Sequence, residues 1–123
     1  MSNAATPANT KLQADAGQVR PATAQGLVYK AFKRPYGGAG GAPVLELFAS
    51  GFYPDAPWEL FFAAVAGKPW TYVLNERVPS IVYNIVTYYV ACYSSGRGRP
   101  GLPDKVTITD AHGTHEVPVQ TGG

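Results

Sequence analysis

The aromatic residues are confined to one stretch of the chain. All fifteen Tyr, Phe and Trp residues fall between Tyr29 and Tyr93, and none lies in the first 28 residues. Aromatic side chains carry the largest apolar area that a small core can bury, so the block they occupy must hold the core. The lead-in before Leu27 is mostly Ala, Thr, Gln, Asn, Pro and Gly, with Leu12 and Val19 its only sizeable aliphatic residues. Burying those two side chains does not offset ~1–2 kcal/mol of backbone ordering entropy per residue. The expected organisation is a flexible or extended N-terminal arm over 1–26, separable from one domain over 27–120, with a short tail over 121–123. At 123 residues the chain has room for a single domain.

Within the block the hydrophobic period is that of strands. Leu27 to Arg34 is a first strand, and a Gly-rich connection over 37–41 leads through Pro43 into a second, Val44 to Ala49, in which Leu45, Leu47 and Ala49 share a face. That connection enters a strand and not a helix, so it is no phosphate-cradling loop. Trp58 to Val65 is nearly all apolar after Glu59, as expected of a central strand covered on both faces. Trp70, Tyr72 and Leu74 alternate with polar or smaller neighbours. Ile81 to Tyr93 is too long for a typical strand; it either bends between sheets or breaks near Asn84. Val106 to Val119 is a hairpin about Asp110-Ala111-His112-Gly113, with Gly113 suited to positive φ. Pro118 cannot donate to a ladder, which places the last strand at a sheet edge. Seven or so short strands with punctuating turns predict an all-β fold, a two-sheet antiparallel β-sandwich.

Two passages carry a resemblance. Leu47 through Ser50-Gly51-Phe52-Tyr53-Pro54 resembles the second strand and following loop of immunoglobulin constant domains, and Thr87-Tyr88-Tyr89-Val90-Ala91 resembles the strand that bears their second cysteine. The resemblance implies an immunoglobulin-like sandwich, with Leu47 and Val90 at the inter-sheet cysteine positions, Tyr88 as the corner tyrosine, and Phe61 or Phe62 in place of the core Trp. It also implies binding, not catalysis. The inter-sheet disulfide is missing, because Cys92 is the only cysteine.

Charge and motif content narrow the functions. Net charge is +2, with five basic residues against Asp15 over 1–42 and five against seven acids over 43–123. That balance predicts neither a nucleic-acid nor a membrane partner. No apolar run approaches the ~18 residues of a membrane span, and Met1 to Pro7 lack the basic and apolar segments of a secretory signal. The expected setting is compatible with a cytoplasm or a virion.

Asp110, His112, His115 and Glu116 are the densest set of potential metal ligands, but a turn points them in different directions, so no metal or other cofactor is expected. Cys92, Ser94 and Ser95 lack a motif that would set a histidine beside them, and Asp55 with Glu59 is too ordinary a pair to imply glycosidase chemistry. The chain is therefore expected to be non-enzymatic. Its expected role is an interaction module for a protein partner or for self-association, working through Phe52, Tyr53 and Trp58 at one end and Arg97 and Arg99 in a glycine-rich loop. The alternative is a structural subunit of a virion or filament whose arm contacts neighbours. A small hydrolase ranks third.

Overall fold

The computed structural model describes residues 10–35, 42–95 and 101–121. Every regular element among them is a strand: β1 (Thr10–Leu12), β2 (Val19–Pro21), β3 (Gln25–Arg34), β4 (Val44–Tyr53), β5 (Glu59–Ala64), β6 (Thr71–Arg77), β7 (Ile81–Tyr83), β8 (Thr87–Ser94), β9 (Lys105–Asp110) and β10 (Gly113–Thr121). The all-β expectation is met. The strands form a single curled mixed sheet, a half-barrel, and not the antiparallel two-sheet sandwich expected. Its order is β2-β6-β9-β10-β3-β4-β8, with β5 on the other side of β6, while β1 pairs separately with β7.

Two parallel pairings make the sheet mixed. β10 is longer than β9: Gly113 to Pro118 pair antiparallel with β9, and Val119 to Thr121 run past its end to pair in parallel with β3. β6 pairs in parallel with β9 over Thr71–Val73, and β2 takes up the same edge of β6 over Asn75–Arg77. Pro118 is thus inside the sheet and not at its edge. Val119 donates to the Asp104 carbonyl, so alternation aims the missing donor of Pro118 at the β3 side, before that ladder begins. β5 pairs only with β6 among the described strands, which makes it an edge and not a central strand.

The concave side holds the core. Leu45, Leu47 and Ala49 of β4, Ala31 of β3, Ala91 of β8, Phe62 of β5, Tyr72 and Leu74 of β6, Val106 and Ile108 of β9 and Val117 of β10 pack together there. β4 alternates without a break, as its sequence required. Where β3 bulges between Gln25 and Val28, Gly26 has φ +63°, and a Cβ on Gly51 would stand 2.8 Å from Leu27 Cδ2 and 3.0 Å from the Gln25 carbonyl. A side chain at either position would push β3 off β4.

The long apolar run breaks in the expected region, giving β7 and β8 with Asn84 to Val86 between them. The hairpin also stands, with Gly113 at φ 144°. The immunoglobulin correspondences do not. β4 and β8 are neighbours in one sheet, with Leu47 opposite Tyr93, so Leu47 and Val90 do not face each other between layers. Tyr88 is 76% exposed and turns no corner. Phe62 does reach the core.

The segment before Leu27 is the largest departure. Residues 1–9 lie outside the described residues, but residues 10–24, expected in the flexible arm, supply β1 and β2 and lie on the sheet. Ala22 and Ala24 are fully buried at one end of the half-barrel. Large apolar side chains do not hold this segment. It is held by backbone bonds, Ala22 N to the Leu74 carbonyl and Ala111 N to the Ala22 carbonyl, and by the buried carboxylate of Glu76. Arg20 Nε donates to Glu76 Oε2 (2.8 Å), and Thr23 N (2.6 Å), Thr23 Oγ1 (2.9 Å) and Tyr53 OH (2.8 Å) donate to Oε1. Glu76→Ala leaves donors of Arg20, Thr23 and Tyr53 unmatched and is expected to lower stability by about 3–5 kcal/mol. Glu76→Gln should lose less, because its amide oxygen still accepts. Urea unfolding of the full chain measures both, and a loss for Glu76→Ala below about 1 kcal/mol would show that the network is idle.

Candidate interaction surface

The aromatic turn expected to bind is divided by strand alternation. Phe52 and Tyr53 are consecutive in β4 and point to opposite faces. Tyr53 points inward, where its ring stacks on Trp58 (4.7 Å between centroids, 6° between planes) and meets the edge of Tyr89 (5.5 Å, 81°). Trp58 donates from Nε1 to Asp55 Oδ1 (2.7 Å) and from its backbone N to Tyr89 OH (3.0 Å), and the Arg20 guanidinium lies 5.9 Å from its ring. Tyr53 and Trp58 therefore close one end of the core. Burial, then the bond to Glu76, raises the pKa of the Tyr53 phenol well above its ordinary value. Phe52 points outward against Tyr88, with centroids 5.5 Å apart. Arg97 and Arg99 lie outside the described residues.

The outer face of β3, β4 and β8 is unusual in its chemistry. Register places Val28, Ser50 and Val90 in one row across the three strands and Phe52 beside Tyr88 in the next. Val86 continues the outward side of β8, with Ile85 beside it. Tyr88, Val90 and Val86 are each about two-thirds exposed or more, and Ile85 and Val28 more than half. No charged residue sits among them. Lys30, Arg34 and Glu46 all lie toward the other end of the face, where Arg34 pairs with Glu46 and covers the Phe32 ring. Sequence reasoning missed this half-face because both sides of β8 read as apolar. Thr87, Tyr89, Ala91 and Tyr93 are as good a core stripe as Val86, Tyr88, Val90 and Cys92. The asymmetry shows in the neighbours: Leu47, Ala49 and Tyr53 on β4 already fix the inward face.

The remaining candidates are bound into the fold. Asp110, 4% exposed, accepts from Tyr29 OH (2.5 Å), His112 N (2.7 Å) and His115 Nε2 (3.0 Å). His112 Nε2 donates to the Ala24 carbonyl (2.8 Å), and Glu116 pairs with Lys105. Among the described residues no three His, Cys, Asp or Glu side chains converge to hold a metal ion. The Tyr29 phenol is raised by burial and by its bond to Asp110. Glu59 pairs with Arg77, apart from Asp55 on Trp58. Cys92 and Ser94 face outward on β8, whereas His115 faces inward against Tyr29 at 5.4 Å. Neither forms a nucleophile–base pair with that ring. Ser95 Oγ accepts from Leu45 N. The chain matches no protein-family model, no curated protein and no solved structure.

Two outcomes follow from this placement. Above pH 10.0, the ordinary tyrosine value, the folded chain keeps the Tyr29 and Tyr53 protons that the unfolded chain releases. Stability is therefore full below that pH and falls above it, by up to about 1.4 kcal/mol per pH unit for each phenol. Tyr29→Phe and Tyr53→Phe should each flatten the alkaline slope of a urea midpoint series, and an unchanged slope would contradict the assignment. Cys92 is exposed, because the inward turns of Ala91 and Tyr93 on either side send it out. A thiol reagent should modify it in the native monomer nearly as fast as in denaturant; strong native protection would place β8 the other way round.

Proposed function

We propose that this chain is a non-catalytic interaction module, a sandwich-like half-barrel that pairs with a second copy of itself through the uncharged half of the β3-β4-β8 outer face. The observation that carries the reading is the run of exposed apolar side chains on β8 and its neighbours, Val28, Ile85, Val86, Tyr88 and Val90. Together with Phe52 they present on the order of 600 Å² of apolar surface, at the upper end of what a monomer exposes in one patch.

A second copy is favoured over an unlike partner by area and by charge. Two such patches placed face to face bury roughly 1,200 Å², the lower bound of a stable specific interface. A twofold contact uses each patch against its own equal and leaves neither uncovered. With no charge in the patch, pairing brings no like charges together. Lys30 and the Arg34–Glu46 pair, toward the other end of the face, stay at a solvated rim. Stacked sheets lie about 10 Å apart, a spacing that the Tyr88 and Phe52 rings fill. The alternative of a virion or filament subunit working through its arm draws nothing from residues 10–24, which lie on their own sheet.

Sedimentation velocity across a concentration series tests the reading. A monomer–dimer equilibrium is expected, abolished by Tyr88→Lys with Val90→Lys while the dilute melting temperature stays within a few degrees of the parent. A chain that remains monomeric at millimolar concentration, or a dimer indifferent to both lysines, rules it out.

A further inference from the structure

The half-barrel is closed at one end by the segment before β3, and at the other the described residues leave a groove. Arg20 to Ala24 fill the end where Glu76, Tyr53 and Tyr89 lie. Tyr72 lies four residues from Glu76 along β6, and Tyr93 four residues from Tyr89 along β8, which is about 13 Å at the rise of an extended strand. There the inner rings of Tyr72 and Tyr93 meet at 5.1 Å, and the turn between β5 and β6 forms the rim of a groove of about 330 Å³. The mouth of a β-barrel is a usual place for a small-molecule site, and this volume is at the lower end of such sites.

Three features define what the mouth would accept. Its lining brings together three aromatic residues, Trp70, Tyr72 and Tyr93. Trp70 is held at φ 59°, a left-handed conformation unfavourable for any residue with a Cβ. It is fixed there by its carbonyl, which accepts from Thr107 N at 3.0 Å. A glycine would fit that backbone more easily, so the indole is retained at a conformational cost. Among the described residues of the lining, Lys68 is the one formally charged side chain, and none is Asp, Glu, Asn or Gln. A sugar would find no carboxylate or amide side chain to accept from its hydroxyl groups, whereas an anion would find an ammonium.

We infer that the groove between the β5–β6 turn and Tyr93 is a binding site for a small aromatic carboxylate. Trp70, Tyr72 and Tyr93 take its ring and Lys68 its carboxylate. The site is independent of self-association, because Tyr93 faces inward on β8 while Tyr88 and Val90 face outward. The test is a titration of the isotope-labelled full chain with 2-naphthoate, followed by amide chemical shifts. Cyclohexanecarboxylate, an anion without an aromatic ring, and methyl glucoside serve as comparators. Saturable shifts at residues 65–72 and Tyr93 are expected with naphthoate alone. Lys68→Met should weaken them about threefold, as a solvent-exposed ion contact would. Trp70→Gly, which suits the backbone and removes the indole, should abolish them. Lys68 is exposed, so its variant remains informative if Trp70→Gly fails to fold. Absence of saturable shifts, equal binding of cyclohexanecarboxylate or methyl glucoside, or indifference to Lys68→Met each overturns the inference.

Discussion

The buried carboxylate of Glu76 is the constraint on which the rest of this fold depends. A carboxylate with no solvent exposure is tolerated only if its oxygens are fully matched. The matching groups come to β6 from two other parts of the chain: Arg20 and Thr23 from the N-terminal segment and Tyr53 from the end of β4. The turn after a second buried carboxylate, Asp110, which holds His112 N, grips the same segment from the other side, through Ala111 N on the Ala22 carbonyl and His112 Nε2 on the Ala24 carbonyl. Ala22 and Ala24 are small enough to fit between the two. Five residues with almost no apolar area thereby become the plug of a half-barrel.

That plug decides what is left for function. Tyr53, Trp58 and Tyr89 support it through their ring contacts and the bond from Trp58 N to Tyr89 OH. Asp110, His112 and His115 are likewise engaged, with one another and with Tyr29 of β3 and the Ala24 carbonyl. Among the described residues, two other surfaces stand out, the convex face of β3, β4 and β8 and the groove beside Tyr72 and Tyr93. Both lie away from the densest polar chemistry in the chain, which is structural.

The sequence was legible where local pattern decides. The hairpin about Asp110 to Gly113, the alternation of β4 and of Tyr72 and Leu74, and the break after Tyr83 all follow from period and punctuation. Pairings between distant segments were not legible. The parallel contacts of β10 with β3 and of β6 with β9 leave no mark on any single strand, and the adjacency of β4 and β8 undoes the immunoglobulin correspondence although each passage is a strand. The N-terminal segment was misjudged for a different reason. Its capacity to fold was measured by Leu12 and Val19, both exposed, whereas its docking rests on one guanidinium, one threonine and two alanines. An apolar ledger is blind to polar anchors of that kind.

β8 joins these threads. Its eight residues, Thr87–Ser94, carry no charge and no proline, although it ends the strand order, where sheets ordinarily place such residues to prevent unwanted pairing. Alternation sends Tyr89, Ala91 and Tyr93 to the concave side and Tyr88, Val90 and Cys92 to the convex side. A strand serving only as the edge of a core needs one apolar stripe, and a lysine or glutamate at Tyr88 or Val90 would leave that stripe intact while protecting the edge. The second stripe adds nothing to the core. The proposed pairing with a second copy would give that stripe a role, since its area and neutrality fit a like face.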